Sequence, residues 1–158
     1  RTSVGGRAQP RLDADGRRVG PALTHGYSGT PLPRKLGIGE GATFAVVDDP
    51  GHVDELVTPL PAGARRVEAA AGADVVLVFT TERGDLERRI DDLGAAIFPD
   101  RMLWIAWPKR ASGVPTDVTE DVVRAVALPI GLVDTKVAAI DATWSGLRLV
   151  WRRDRRSS

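Results

Sequence analysis

The stretch Arg101-Met102-Leu103-Trp104-Ile105-Ala106-Trp107-Pro108-Lys109 constrains the fold of this chain more than any other. Six apolar residues, Met102 to Trp107, run without a polar break and then meet Pro-Lys. A short apolar run bounded by turn chemistry predicts a strand buried on both faces, as in a parallel sheet covered by helices. Proline has no N–H to give to a ladder, so Pro108 marks the carboxyl end of that strand. Trp104 and Trp107 fall on opposite faces of it and read as core. Ligands of open α/β sheets gather beyond the carboxyl ends of the strands. The sequence therefore points to a place before it points to an activity.

The other segments supply partners for this strand. Thr30 as N-cap and Pro31 at the first helical position predict a short helix closed by Gly37, with Leu32 and Leu36 on one face. Thr43–Val47 reads as the first strand. Asp49-Pro50 repeats the helix-start signal, with Asp49 as N-cap, and Val53, Leu56, Val57 and Leu60 form an apolar stripe before Pro59 and Pro61. A weak second strand is expected at 64–68 and a Val-rich third at 74–80. A helix over 82–97 carries Leu86, Ile90, Leu93 and Ile97 on one face, with Arg83/Glu87 and Arg88/Asp92 pairs on the rest. Asp117 and Glu120 read as a capping box before a helix bearing Val118, Val122 and Val126, closed by Pro129 and Gly131. Strands at 136–141 and 147–152, joined by 142–146, predict an antiparallel hairpin.

Strands alternating with helices build parallel β-α-β units with right-handed crossovers. The expected fold is a three-layer, Rossmann-like α/β domain of six strands that ends in the antiparallel hairpin. With strands numbered along the chain, the expected sheet order is 2-1-3-4-6-5. This is the architecture of S-adenosylmethionine-dependent methyltransferases with the third strand and some helices missing.

Length and charge set the outer limits. A chain of 158 residues suits one domain, expected over 27–153, long enough to bury a core without staples. Residues 1–26, with several glycines and no hydrophobic period, are expected to be disordered or derived from expression; 154–158 form a basic tail. The absence of cysteine excludes disulfides, thiol catalysis and thiolate metal ligands, and two histidines alone give no expectation of zinc. No apolar run approaches the roughly 20 residues of a membrane span, and 1–26 lacks the apolar core of a signal peptide. A cytoplasmic protein is expected, and the Arg-, Ala-, Val- and Gly-rich composition points to a high-GC bacterial genome. Residues 1–26 hold five Arg and two Asp; residues 151–158 hold four Arg and one Asp. Each end is thus +3, and with a total of +1 the body, 27–150, is −5. An acidic body gives no expectation of nucleic-acid binding.

Candidate chemistry is sparse. Val47-Asp48-Asp49-Pro50-Gly51 stands where a nucleotide-binding fold carries G-x-G, and two aspartates there would repel a phosphate. No cofactor is expected. Phe79-Thr80-Thr81-Glu82-Arg83 lacks the Asn/Asp-Pro-Pro-aromatic motif of amino-methylating enzymes, and Thr80 or Thr81 reads as a helix cap. No G-x-S-x-G elbow exists. His52, alone in the body, is expected to be exposed in a helix's first turn. No catalytic or metal-binding residue is assigned. The loop after the central strand, however, holds Lys109, Arg110, Ser112 and Gly113, and the hairpin link holds Asp141, Trp144 and Ser145. If the fifth strand runs parallel to the fourth, its end at Asp141 reaches the same edge as Pro108. Lys109, Ser112, Asp141, Trp144 and Ser145 are then expected to converge. An aromatic wall with a cation, a carboxylate and hydroxyls suits a small polar ligand or the peptide end of a partner protein.

From Tyr27-Ser28-Gly29-Thr30-Pro31-Leu32 onward the chain resembles an actinobacterial domain-of-unknown-function family. The resemblance rests on that opening and on Lys35-Leu36-Gly37-Ile38, Trp107-Pro108-Lys109, Ser112-Gly113, Thr116-Asp117, Gly131-Leu132-Val133-Asp134 and Thr143-Trp144-Ser145-Gly146-Leu147-Arg148. It covers about 27–153, with Pro129 and Ala138 as local departures. It implies no catalytic residue. The favoured expectation is a cofactor-free Rossmann-like domain that binds a partner protein or a small polar ligand at the carboxyl edge. The alternative is a divergent methyltransferase-like enzyme with an unusual cofactor site.

Overall fold

The computed structural model describes residues 30–156, so the expectations for 1–26, for Tyr27–Gly29 and for 157–158 lie outside the described residues. Six strands form one sheet: β1 (Thr43–Val47), β2 (Arg65–Arg66), β3 (Val75–Phe79), β4 (Met102–Pro108), β5 (Leu132–Ala139) and β6 (Trp144–Trp151). Their order is β2-β1-β3-β4-β6-β5. The first four are parallel, and β6 lies antiparallel between β4 and β5. The expected class and order are both present.

Four helices cover the sheet. On one face lie α3 (Arg83–Ile97) and α4 (Glu120–Ala127). Leu86, Ile90, Leu93 and Ile97 of α3 and Val123 and Val126 of α4 bury themselves against Val76, Val78, Leu103, Ile105 and Trp107. On the other face lie α1 (Leu32–Leu36) and α2 (Val53–Leu56). There Leu36, Ile38, Val53 and Val57 meet Phe44, Leu77, Phe79, Trp104 and Ala106. Alternate residues of β4 thus feed two cores, which is why that segment carries no polar position. Trp104 is fully buried, and its indole N–H donates to the Leu36 carbonyl at 2.9 Å, so burial leaves no donor unpaired.

Gly37 shows how closely the layers meet. Its φ of 90° closes α1 in the left-handed region, and a Cβ there would lie 2.7 Å from Cε of Met102. The left-handed φ favours glycine, and any larger residue would also have to displace the flexible end of Met102.

Several local expectations give way to contacts made at a distance. The helix after β1 is one turn long, and its N-cap is His52 instead of Asp49. Asp49 accepts the Gly51 N–H at 2.7 Å in a tight turn, and Gly51 at φ 114° turns the chain once more before the helix starts. Asp117 does not cap α4. Thr119 does, accepting the Val122 N–H at 3.2 Å, while Asp117 accepts the Arg83 N–H at 2.7 Å and so caps α3 from the loop ahead of α4. Arg83 pairs with Glu87 at 2.8 Å as expected, but Arg88 pairs with Asp85, not Asp92. The hairpin strands are longer than their apolar cores. Leu132 already pairs with Trp151 and Trp144 with Pro108, so the link shrinks to 140–143.

Candidate functional site

The carboxyl edge of the parallel strands is built from the turn after β1, the end of β3, the loop after β4 and the β5–β6 link. Pro108 registers with Trp144, and the Lys109 N–H donates to the Thr143 carbonyl at 2.7 Å. The loop after the central strand and the hairpin link are therefore joined backbone to backbone. Lys109, Asp141 and Trp144 share this corner of the molecule.

Asp141 organises the link. Its Oδ1 accepts the N–H groups of Thr143 and Trp144, both at 2.8 Å, and its Oδ2 lies 2.7 Å from Nε2 of His52. Burial disfavours the ionised form, but the His52 hydrogen bond and the two backbone donors outweigh it and hold this carboxyl below its ordinary value. His52 is more than a surface residue of a first turn. It bridges α2 to the hairpin link across 89 residues of sequence, and sequence reasoning missed it. Nothing in the sequence signalled this partner, because Asp48, Asp49 and Glu55 all lie nearer to His52 along the chain.

Trp144 lies edge-on to Phe79, with ring centroids 4.9 Å apart at 89°, and packs against the core beneath α1 and α2. It is half-buried, and no described residue accepts its indole N–H. The other two expected members sit differently. Ser145 registers with Trp107 and so points to the face opposite Trp144, because successive strand residues alternate. Ser112 closes a one-turn helix at 110–112, where its hydroxyl donates to the Lys109 carbonyl at 2.7 Å and accepts the Val114 N–H at 3.2 Å. It shapes the loop. Lys109 and Arg110 have no described partner for their charged ends.

The turn after β1 presents the opposite picture. Asp48 adopts φ 56°, a left-handed conformation that aspartate tolerates better than most residues, and pairs with Arg89 of α3 at 2.7 Å. Asp49 pairs with Arg66 of β2 at 3.1 Å, and Asp54 joins the same guanidinium. Desolvation opposes ionisation of Asp49, but the Gly51 N–H and Arg66 outweigh it and hold the carboxyl low. Gly51, at φ 114°, is the one glycine of this turn. These residues do not fit a glycine-cradled nucleotide.

A polar depression of about 390 Å³ opens beside the start of α3, lined by Thr81, Glu82, Gly84, Pro115, Thr116 and Asp117. None of the five residues expected to converge lines it. Neither Thr80 nor Thr81 is the expected helix cap: the N-cap position is Glu82, Asp117 accepts the Arg83 N–H, and Thr80 accepts the Glu82 N–H at 3.4 Å in the turn ahead of α3. Among the described residues no group of three or more His, Asp or Glu side chains could hold a metal ion, and no helix is long and apolar enough to cross a membrane.

No family model matches the chain, and no curated protein matches it in sequence. Neither comparison supports the actinobacterial resemblance. Solved structures do share its architecture. A SAM-dependent methyltransferase from Aquifex aeolicus superposes with a TM-score of 0.52 at 13% identity, over 75% of this chain and 86% of its own. Fibrillarin from Methanococcus jannaschii, a pre-rRNA processing protein, gives 0.50 at 10% identity, over 78% and 70%. A possible exported protein from Bordetella parapertussis gives 0.51 at 11%, over 75% and 65%. At such identities the likeness speaks for fold alone. The fold is methyltransferase-like Rossmann.

Proposed function

We propose that this chain is a divergent methyltransferase-fold protein that binds a small polar ligand, or the peptide end of a partner protein, where β4 and the β5–β6 link meet. One observation carries the reading. On a rim fixed by the Pro108–Trp144 register, the Lys109 ammonium and the Trp144 indole N–H have no described partner, while the carboxylates after β1 are taken up in ion pairs. Open donors at the edge where sheets of this class receive ligands support the reading.

The second reading is S-adenosylmethionine-dependent methyl transfer, and the Aquifex aeolicus likeness favours it. The fold supports that reading more directly than it supports a cofactor-free domain. The turn after β1 counts against it, because Asp48-Asp49-Pro50-Gly51 holds one glycine and two engaged carboxylates.

Indole N–H signals in heteronuclear NMR test the first reading. The chain has four tryptophans, and those of Trp104 and Trp151 donate to the carbonyls of Leu36 and Gly94, so they serve as internal references. A ligand found by screening small polar molecules should move the Trp144 signal and leave those two in place. Once a ligand is in hand, wild-type affinity in both Lys109→Ala and Trp144→Ala would overturn the reading.

A further inference from the structure

We propose that His52, held by Asp141, and Lys109 are the two arms of a site for a small oxyanion that also carries an O–H or N–H group. In this site Lys109 pairs with the anion and Nδ1 of His52 accepts the ligand's hydrogen. The inference deepens the reading above and rests on it.

The tautomer follows from the geometry. Asp141 accepts two backbone N–H groups through Oδ1, so its ring-facing atom is Oδ2, 2.7 Å from Nε2 of His52. An ionised carboxylate can only accept, which makes Nε2 the donor. In the neutral ring Nδ1 then carries the lone pair. No described residue meets Nδ1, and the His52 side chain is 37% exposed against 17% for Asp141. A half-buried carboxylate thus orients a ring that is itself partly open to solvent, which is how proteins orient an imidazole that must accept a proton or hydrogen bond.

The link to Lys109 is short. The Lys109 N–H donates to Thr143, the Thr143 N–H donates to Asp141, and Asp141 accepts from His52. Three hydrogen bonds at 2.7, 2.8 and 2.7 Å tie the backbone of the loop that carries the cation to the ring that carries the acceptor. The ligand class follows from complementarity. The Asp141 carboxylate is already satisfied, the open groups of the adjoining loop and link are the Lys109 and Arg110 cations and the Trp144 indole N–H, and the imidazole adds an acceptor to these donors. An anion alone would use only half of this. An anion with an adjoining hydrogen, as in a 2-hydroxy carboxylate or a hydrogen phosphate, uses both arms.

The test is NMR titration of the 15N-labelled full chain with glycolate, acetate and inorganic phosphate, read at the His52 ring nitrogens and the Trp144 indole. His25 is the one other histidine and serves as reference. The expected result is a shift at His52 Nδ1 with glycolate or phosphate, with acetate about tenfold weaker, roughly the worth of one hydrogen bond. Asp141→Asn should keep the link's acceptor oxygen but turn the ring to the other tautomer, visible in the 15N pattern, and weaken glycolate by a similar factor. His52→Gln, which removes the ring, should weaken glycolate by a similar factor. Shifts at Trp144 with unchanged affinity in His52→Gln, or equal binding of acetate and glycolate, would overturn this inference and leave the edge site standing. No shift at His52 or Trp144 with any probe at tens of millimolar would overturn this inference. Failure of the edge reading itself would show separately, as unchanged affinity in Lys109→Ala and Trp144→Ala for a ligand found by screening.

Discussion

The turn after β1 and the loop after β4 leave the same edge of one sheet, yet they treat their charges in opposite ways. After β1 the carboxylates are closed into pairs, Asp48 with Arg89 and Asp49 with Arg66, and the backbone at Asp48 is left-handed. After β4 the hydroxyl of Ser112 ties the loop to its own backbone, while Lys109 and Arg110 stay open. The first region spends its polar groups on holding β2, α3 and the turn together. The second is held by backbone pairing with the hairpin link, which frees its side chains for a ligand. The topological position that suits a ligand is one thing, and the side chains left over to meet it are another.

The largest effect should come from removing the support of the open loop. Trp104→Ala empties the space between α1 and β4 and strands the Leu36 carbonyl, at a cost of ~3–5 kcal/mol. Thermal melting should show a midpoint lowered by on the order of 10 °C. A loss below about 3 °C would mean that β4 is not the rigid base of that loop.

Asp141→Asn should cost less, ~1–2 kcal/mol at neutral pH, because the amide still accepts N–H groups but loses the charge that His52 meets. The pH dependence has a definite sign. The native carboxyl titrates below its ordinary value, so between the two values the unfolded chain binds more protons and stability rises with pH. That stability is present above the ordinary carboxylate range, near pH 4, and is lost as pH falls through the lower native value. Melting from pH 6 to 2 should therefore show a shallower acid limb in the variant. An unchanged limb would place the depression elsewhere.

Asp48→Gly should change little. It relieves a left-handed φ and forfeits one partly exposed ion pair, each worth about 1 kcal/mol or less. A midpoint within about 3 °C of wild type is expected. The smallest effect belongs to Lys109→Ala, within ~0.5 kcal/mol, because no described residue uses its ammonium. A clear loss of stability in that variant would mean that the charge is structural and that the contrast between the two regions fails.

Much of the fold was legible because it depends on burial. The runs at β1, β3 and β4, the stripe of α3 and the closing antiparallel pair point to the fold class without knowledge of any single contact, and the likeness of that pattern to a methyltransferase architecture supplies the sheet order. Local chemistry was less legible, because each group found a partner far along the chain. Asp117 serves α3 across 34 residues, Asp49 serves Arg66, and His52 finds Asp141 across 89. Trp144-Ser145-Gly146 reads as turn chemistry, and pairing with 106–108 on one side and 138–139 on the other draws it into a strand. That extension sends Ser145 to the far face and divides the expected cluster. Lys109, Asp141 and Trp144 were placed together by strand direction alone; their neighbour His52 had no such guide.

The contrast between the two regions is tested most directly by titrating the full chain with S-adenosylmethionine in a calorimeter, with backbone NMR to locate any contact. The account predicts no binding in the micromolar range and no shift across 48–51. Micromolar affinity with shifts at Asp48, Asp49 and Gly51 would contradict it and restore the turn after β1 as the functional end of the sheet.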